Sequence, residues 1–440
     1  MAGIFKAYDI RGVVGKDLTA EVAFKIGRAF VSLLGCRRVV VGQDMRSSSA
    51  TMFQELTRGL TCQGANVVRL GLCSTPMSYY ANGFLGADAG IMITASHNPG
   101  EWNGFKLCRA QAVPISGATG IAEIERRVAN ADFAPAAKTP GTISGHDIRP
   151  EYIAHIKKLA ALKRPITIAA DFANAMGSLE AQALAGLLRV DALYETLDGT
   201  FPNHEANPLK TETLAALQEK VRSGHYDFGA AFDGDADRVG FVDERGEIVP
   251  MDMITLLIAR SILQKQKGAI LYDLRSSWTV REVIEENGGA PQQCRVGHSF
   301  IKQQMRAADA LFAGELSGHY YFRENYFTES SALAVLYVAN LLSQSSAPLS
   351  DLIRPLQRYF KSPEINSEVH DPVAVLARLR EKFRDGRQFE LDGLSVEYPD
   401  WWFNVRCSNT EPLVRLNLEA KTQAQLAERT RELLGLIRAP

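Results

Sequence analysis

Short apolar runs bounded by Gly or Asp alternate along this chain with longer segments whose apolar residues recur at helical spacing. That alternation predicts α/β layering with parallel strands. In the first third, apolar runs at 38–42, 66–70 and 89–94 predict strands, with helices between them at 49–63 and 76–84. The rhythm returns as strand 165–171, helix 178–188, strand 190–197, helix 212–223 and strand 228–232. It returns again as strand 269–273, helix 279–286, strand 293–296, helix 300–308 and strand 310–313. Each round opens on a strand ending near an Asp (Asp44, Asp171, Asp273), and each third strand runs into a polar loop, at 94–99, 233–238 and 314–319. Three similar βαβαβ units are therefore expected. Ligands gather at the carboxyl ends of strands in open α/β sheets, so the three loops should face one cleft.

Residues 134–150, rich in Ala, Pro, Thr and Gly, read as a connector, and 343–349 as a polar loop between helices. After Pro363 the pattern becomes strand, helix, strand, a loop at 406–412, strand and helix, which predicts a smaller α+β domain. The expected division is 1–148, 149–250, 251–362 and 363–440.

Composition narrows the class. With 46% hydrophobic and 22% charged residues the chain can bury several cores. Its 49 Lys and Arg against 50 Asp and Glu argue against a nucleic-acid or membrane-surface partner. A small anionic substrate needs only a local cation cluster. No apolar run reaches the roughly 18 residues of a membrane span, and the first residues carry no apolar leader pattern. The six cysteines form no C-x-x-C pair and read as reduced thiols. A cytoplasmic setting is expected.

Thr94-Ala-Ser-His-Asn-Pro99 follows an apolar strand, placing Ser96 as an exposed nucleophile or phosphate acceptor, or simply in a polar turn closed by Pro99. It is not the G-x-S-x-G elbow of acyl transfer. Lys106 lies ten residues on. In Asp233-Gly-Asp-Ala-Asp-Arg238, three carboxylates alternate over five residues and concentrate charge that a hard cation such as Mg²⁺ relieves. A calcium-binding EF-hand loop opens similarly, but its sixth residue must be Gly and here is Arg238.

Glu315, Ser317 and His319 alternate in Gly314-Glu-Leu-Ser-Gly-His-Tyr320 and suit vicinal sugar hydroxyls, or the polar side of an edge strand. Arg406-Cys-Ser-Asn-Thr-Glu-Pro412 combines a guanidinium, hydroxyls and an amide, a nest for phosphate or a capped turn. Arg11 sits near the start of the first unit, and His298 opens a helix, whose N-terminus favours an anion.

Taken together and in order, F-K-A-Y-D-I-R-G, T-A-S-H-N-P, D-G-D-A-D-R, G-E-L-S-G-H and R-C-S-N-T-E-P resemble the α-D-phosphohexomutases, most closely their bacterial phosphomannomutase/phosphoglucomutase group. The likeness spans Phe5 to about Pro412. It implies four domains around a central cleft, the first three of one α/β topology with mixed sheets. It implies that Ser96 carries the phosphoryl group, and that Asp233, Asp235 and Asp237 hold Mg²⁺ beside Ser96. Lys106 and His298 match positions for proton transfer. Glu315 and Ser317, with His319 beside them, would read the sugar. Arg406, Ser408, Asn409 and Thr410 would grip the non-reacting phosphate. Tyr8, Arg11 and Arg238 would line the cleft floor, and Arg275 stands where some relatives have Lys. Residues 327–331 replace an acidic, Gly-containing turn of many relatives.

The implied reaction moves a phosphoryl group between O6 and O1 of a hexose phosphate through phosphoserine and a hexose 1,6-bisphosphate, which also serves as activator. The rival readings are a phosphoglucosamine mutase, a metal-dependent sugar-phosphate phosphatase using an Asp nucleophile, and a catalytically silent sugar-phosphate binder.

Overall fold

The computed structural model describes residues 3–407 and 413–439. Its first three units repeat one sheet plan. In the first, Arg38–Gln43 lies between Asn66–Leu72 and Ala89–Ile93, all parallel. Trp102–Arg109 returns antiparallel beside Ala89–Ile93, and Ile10–Val13 adds antiparallel beyond it. In the second, Thr167–Asp171 lies between Arg189–Leu193 and Phe228–Phe232, with Val239–Val242 returning antiparallel and Ile248–Val249 at the edge. In the third, Ala269–Asp273 lies between Ala290–Cys294 and Phe312–Gly314, with Tyr320–Phe322 and Thr328–Glu329 antiparallel. The chemistry-bearing loops are thus the hairpin bends between the third parallel strand of each unit and its antiparallel return.

These strands form where their residues can be buried on both faces. Ala89–Ile93, Phe228–Phe232 and Phe312–Gly314 are buried throughout, which is why they read as unbroken apolar runs. The third unit's second strand departs from expectation. It occupies Ala290–Cys294, starting before the predicted 293, because as an edge strand its Pro and Gln residues face partly outward. The 134–150 connector also contains a strand, Ile143–Gly145, parallel to Asn66–Leu72 at the first sheet's edge. Its side chains are exposed, so no hydrophobic pattern marks it.

The fourth unit is an antiparallel sheet in the order Phe360–Lys361, Leu413–Ala420, Trp401–Cys407, Leu394–Glu397, Arg387–Phe389, with Ile365–Glu368 also on Leu413–Ala420. Helices Pro372–Lys382 and Gln423–Ile437 accompany it. Arg406 therefore lies on the strand Trp401–Cys407 rather than in the loop the sequence suggests, because alternate residues there continue the fully buried Trp401–Val405 run.

One hydrophobic cluster joins the first three units, drawing on residues from Val40 to Leu356 and including the almost wholly buried helices Met251–Lys265 and Ser331–Ser343. Each large apolar side chain so buried contributes about 1.5–3 kcal/mol relative to exposure. Buried Glu180 ties the same units by polar bonds. It accepts from Ser74 of the first unit and from the Tyr152 hydroxyl at 2.9 Å, and Tyr152 also meets Ser330 of the third at 3.0 Å. The fourth unit has its own core around Leu379, Phe403, Leu418 and Leu433. Among the described residues no helix is long and apolar enough to cross a membrane.

Candidate active site

Ser96 is fully buried at the first hairpin bend with a left-handed backbone, φ 51°. A non-Gly residue there is uncommon and persists only where its surroundings hold it. Arg46 holds it. Its guanidinium, on Asp44 at 3.1 Å, donates to the carbonyl oxygens of Ser96 (2.8 Å), Asn98 (2.5 Å), Pro99 (2.5 Å) and Trp102 (2.9 Å). The Thr94 hydroxyl accepts from the Ser96 amide at 2.9 Å. Arg11, oriented by Asp9, adds a bond to the Asn98 side chain at 2.8 Å.

The second bend brings its carboxylates to the serine. Ser96 Oγ donates to Asp233 Oδ2 at 2.7 Å, and Arg238 Nη2 lies 3.3 Å from the same Oγ. Arg238 also donates to His97 Nδ1 at 2.6 Å. Its charge, then burial, then Arg11 push His97 down to about 2, so His97 is neutral and accepts. Asp233, Asp235 and Asp237 are buried, with ligand oxygens within 4.8 Å of one another. Burial, with Asp235 and Asp237 adding to it, pushes Asp233 up to about 7. Burial would raise Asp237 too, but Lys106 and His319 outweigh it and hold that carboxyl well below the usual range. Among the described residues Asp235 Oδ1 has no hydrogen-bond partner, and Asp237 Oδ1 meets only cationic or imidazole nitrogens, His319 Nε2 at 3.3 Å being the nearest. Crowded, dry carboxylates with an orphaned oxygen fit a divalent cation.

Lys106 supplies positive charge in the meantime. From the antiparallel return strand its ammonium reaches Asp235 at 2.5 Å and also contacts Asp237. Burial opposes that charge, but the two carboxylates prevail and keep the amine protonated well above neutrality. The Thr75 hydroxyl donates to Asp235 Oδ2 at 2.5 Å and its amide to the Asp235 carbonyl at 2.9 Å.

The third bend closes onto the second, with Val239 N donating to the Gly318 carbonyl at 3.0 Å. His319 bridges Glu315 (Nδ1 to Oε2, 3.1 Å) and Asp237 (Nε2 to Oδ1, 3.3 Å), and Ser317 Oγ is 2.7 Å from its Nδ1. Burial works against the imidazolium, but Asp237 and Glu315 overcome it and lift His319 to about 9. Glu315 also accepts from the Gly297 amide at 3.2 Å and the Tyr321 hydroxyl at 3.0 Å. His298 begins the helix His298–Ala307, its ring 5.5 Å from Tyr8 and 6.3 Å from His319. Burial, then Lys302 and Lys106, drives His298 well below its ordinary range, so it is neutral. Gly297 is required beside it: φ is +123°, and a β-carbon would lie 2.7 Å from the Tyr8 ring. The 327–331 segment places Glu329, fully buried, on Lys302 at 2.9 Å.

Arg275 and Arg406 meet at a separate point, both on Glu364, at 3.1 and 3.0 Å. Ser408, Asn409 and Thr410 lie outside the described residues. Three units thus deliver the serine loop at 94–99, the acidic loop at 233–238 and the loop at 314–319 to one place. All four family models for phosphoglucomutase/phosphomannomutase match in order: alpha/beta/alpha domain I over 2–135, II over 150–246, III over 250–359 and the C-terminal domain over 364–435.

The chain belongs to the phosphoglucomutase/phosphomannomutase family. It is a phosphohexomutase. The mutase is 38% identical to a phosphomannomutase of Escherichia coli over 99% of both chains, and 38% identical to one of Methanocaldococcus jannaschii over 99% of this chain and 97% of that one. A phosphoglucomutase/phosphomannomutase family protein of Burkholderia thailandensis superposes with a TM-score of 0.91 at 33% identity, covering 99% of this mutase and 97% of the other chain.

Sequence reasoning misses Arg46, Thr75 and Glu364. A signal for Arg46 exists, since Asp44-x-Arg46 and Asp273-x-Arg275 are the same turn in two repeats. In each, the Asp accepts from the Arg amide, at 3.1 and 2.9 Å.

Proposed function

We propose that this mutase moves a phosphoryl group reversibly between O6 and O1 of a hexose phosphate, with Ser96 as the carrier. The supporting observation is Ser96 Oγ at 2.7 Å from Asp233, inside the buried three-carboxylate cluster. Asp233, Asp235 and Asp237, with the Ser96 oxygen, would hold Mg²⁺. The bound ion supplies charge neutralisation on the transferring phosphoryl oxygens. Arg238, within 3.3 Å of Oγ, adds a fixed positive charge there.

In the forward step the P–O bond to phosphorylated Ser96 breaks and a P–O bond forms to the free sugar hydroxyl, whose proton must leave. The product is a hexose 1,6-bisphosphate, and the freed Ser96 oxygen takes up one proton for the one the sugar hydroxyl loses; in the return step that hydroxyl, which donates to Asp233, gives the proton up again. His298, placed beside Tyr8 and His319 at the start of its helix, would be the candidate for taking the sugar proton, whereas Lys106, held as an ammonium by two carboxylates, is suited to stabilise charge. After the bisphosphate turns over, its other phosphate returns to Ser96. Glu315 and Ser317 would bond O3 and O4, whose configuration mannose and glucose share, and Arg406 with Ser408, Asn409 and Thr410 would hold the non-reacting phosphate. The four functional units are divided at about residues 148 and 250 and, a few residues before the expected 362, just ahead of Phe360, whose strand pairs with Leu413–Ala420 of the fourth sheet.

Mannose phosphate is the expected first substrate, glucose phosphate the second. Leu316 stands where glucosamine mutases usually place a polar Gln, so glucosamine phosphate should be poor. All six cysteines are free, which supports a reducing, cytoplasmic setting.

A panel of hexose 1-phosphates with trace bisphosphate, combined with intact-mass measurement, tests the reading. Phosphate on wild-type Ser96 and loss of nearly all turnover in Ser96→Ala are expected. Wild-type turnover in Ser96→Ala would instead favour a phosphatase-like Asp nucleophile, and a glucosamine rate above the others would overturn the sugar order.

A further inference from the structure

Arg275 belongs to the third unit and Arg406 to the fourth, yet one carboxylate oxygen holds both. Glu364 Oε2 accepts from Arg275 Nη1 at 3.1 Å, Arg406 Nη2 at 3.0 Å and Asn417 Nδ2 at 3.1 Å. Arg415 Nη1 stands 3.7 Å from its other oxygen. Guanidiniums and an amide converging on one acid group form an anion site, here filled from within the chain. The donors are unevenly spent. Arg275 gives Nε and Nη2 to Asp273 and Nη1 to Glu364. Among the described residues, Arg406 and Arg415 each keep a buried Nε without a hydrogen-bond partner. A cleft of about 790 Å³ opens beside the cluster, bounded by Arg275, Leu316, Glu364 and Asn417.

We propose that Glu364 stands in for the substrate's non-reacting phosphate, holding Arg275 and Arg406 in place and surrendering them when a phosphate monoester arrives. The proposal rests on reading Arg406 as a phosphate ligand. Exchange follows from charge and donor count. A phosphate monoester carries up to two charges and three acceptor oxygens, so it uses the orphaned Nε donors that one carboxylate leaves idle. Arg275 already gives Nε and Nη2 to Asp273, so the phosphate competes with Glu364 for Nη1. Were Glu364 to stay, two anions would share one cation cluster, and like charges at such range repel. Glu364 also precedes the fourth unit's strand Ile365–Glu368, so its bond to Arg275 ties two units together. A phosphate held by Arg275 and Arg406 together replaces that tie with one made through the ligand.

Glucose 6-phosphate binding by calorimetry, in a Ser96→Ala background that blocks turnover, tests this. Glu364→Gln keeps the shape and removes the charge; affinity should rise about three- to tenfold, with the gain shrinking in high salt. Glu364→Asp, charged but too short to reach Arg275, should fall between. Equal or weaker binding in Glu364→Gln with an unchanged melting temperature would overturn the exchange and make Glu364 a permanent orienter of the arginines. If Glu364→Gln fails to fold, Glu364→Asp decides alone: binding no tighter than the parent overturns the proposal. Arg406→Ala separates the two levels. It should weaken binding at least tenfold, and failure to do so would remove the phosphate assignment itself rather than the exchange.

Discussion

Gly234 is packed so tightly beneath Ser96 that a β-carbon on it would lie 2.1 Å from the Ser96 carbonyl oxygen. No β-carbon tolerates that approach, so the acidic hairpin meets the serine loop backbone to backbone. Gly234→Ala must push the two loops apart. Displacements of about 1 Å at a reacting centre cost on the order of 100-fold in rate. Turnover should fall by about that factor while circular dichroism stays native; a rate near wild type would show that the loops need not be so close.

Lys106 spends its ammonium on two of the carboxylates that a divalent cation would use. Lys106→Met should therefore bind Mg²⁺ more tightly, by roughly tenfold for one removed competing charge in a buried site, while losing most activity. Titration calorimetry reads the affinity without turnover. Weaker metal binding would mean that Lys106 arranges the carboxylates rather than competing for them.

Arg46 is fully enclosed with Asp44, and a lysine cannot reproduce a guanidinium that serves four carbonyls and a carboxylate. Arg46→Lys should cost about 3 kcal/mol in denaturant unfolding and reduce turnover more than substrate affinity. A small stability change with full activity would show that the Ser96 loop holds its left-handed turn unaided.

Burial raises Glu180 to about 7, only partly offset by its bonds to Ser74 and Tyr152. A carboxyl raised in the fold is protonated there while its unfolded counterpart has ionised. Its stabilising contribution is therefore full below about pH 4.5 and lost as pH rises through about 7. The loss is on the order of 3 kcal/mol. Glu180→Gln should flatten the melting temperature over this window and exceed wild type at pH 8. A parallel pH profile in the variant would refute the assignment.

The serine, acidic and sugar-reading loops were legible because each hairpin bend concentrates polar residues after a strand buried on both faces. The second unit's return strand, Val239–Val242, was legible as an apolar run, but the first unit's was not. Trp102–Arg109 carries Lys106 in the sheet interior, yet its Asn103 and Gly104 break the apolar run. Gly104 is there because Ile10 passes too close for a side chain, a β-carbon meeting its carbonyl oxygen at 2.1 Å. Helix Ser331–Ser343 was expected only as the element before the 343–349 loop, and its extent was unmarked for the opposite reason: it is apolar on nearly all sides, so no polar stripe marks its period. Glu364 had no local signal, since its meaning comes from Arg275, 89 residues away.

The shared core has a consequence for how the protein is made. Val40 and Leu356 belong to one hydrophobic cluster, and Ser330 closes the polar knot on Glu180 through Tyr152. A ribosome that has completed the first unit has therefore produced an unfinished surface. That surface stays exposed until helix Ser331–Ser343 and the segment after it emerge. Chaperone demand during synthesis should peak across this long interval, whereas the fourth unit, closing its own core from the last segment translated, assembles in one late step.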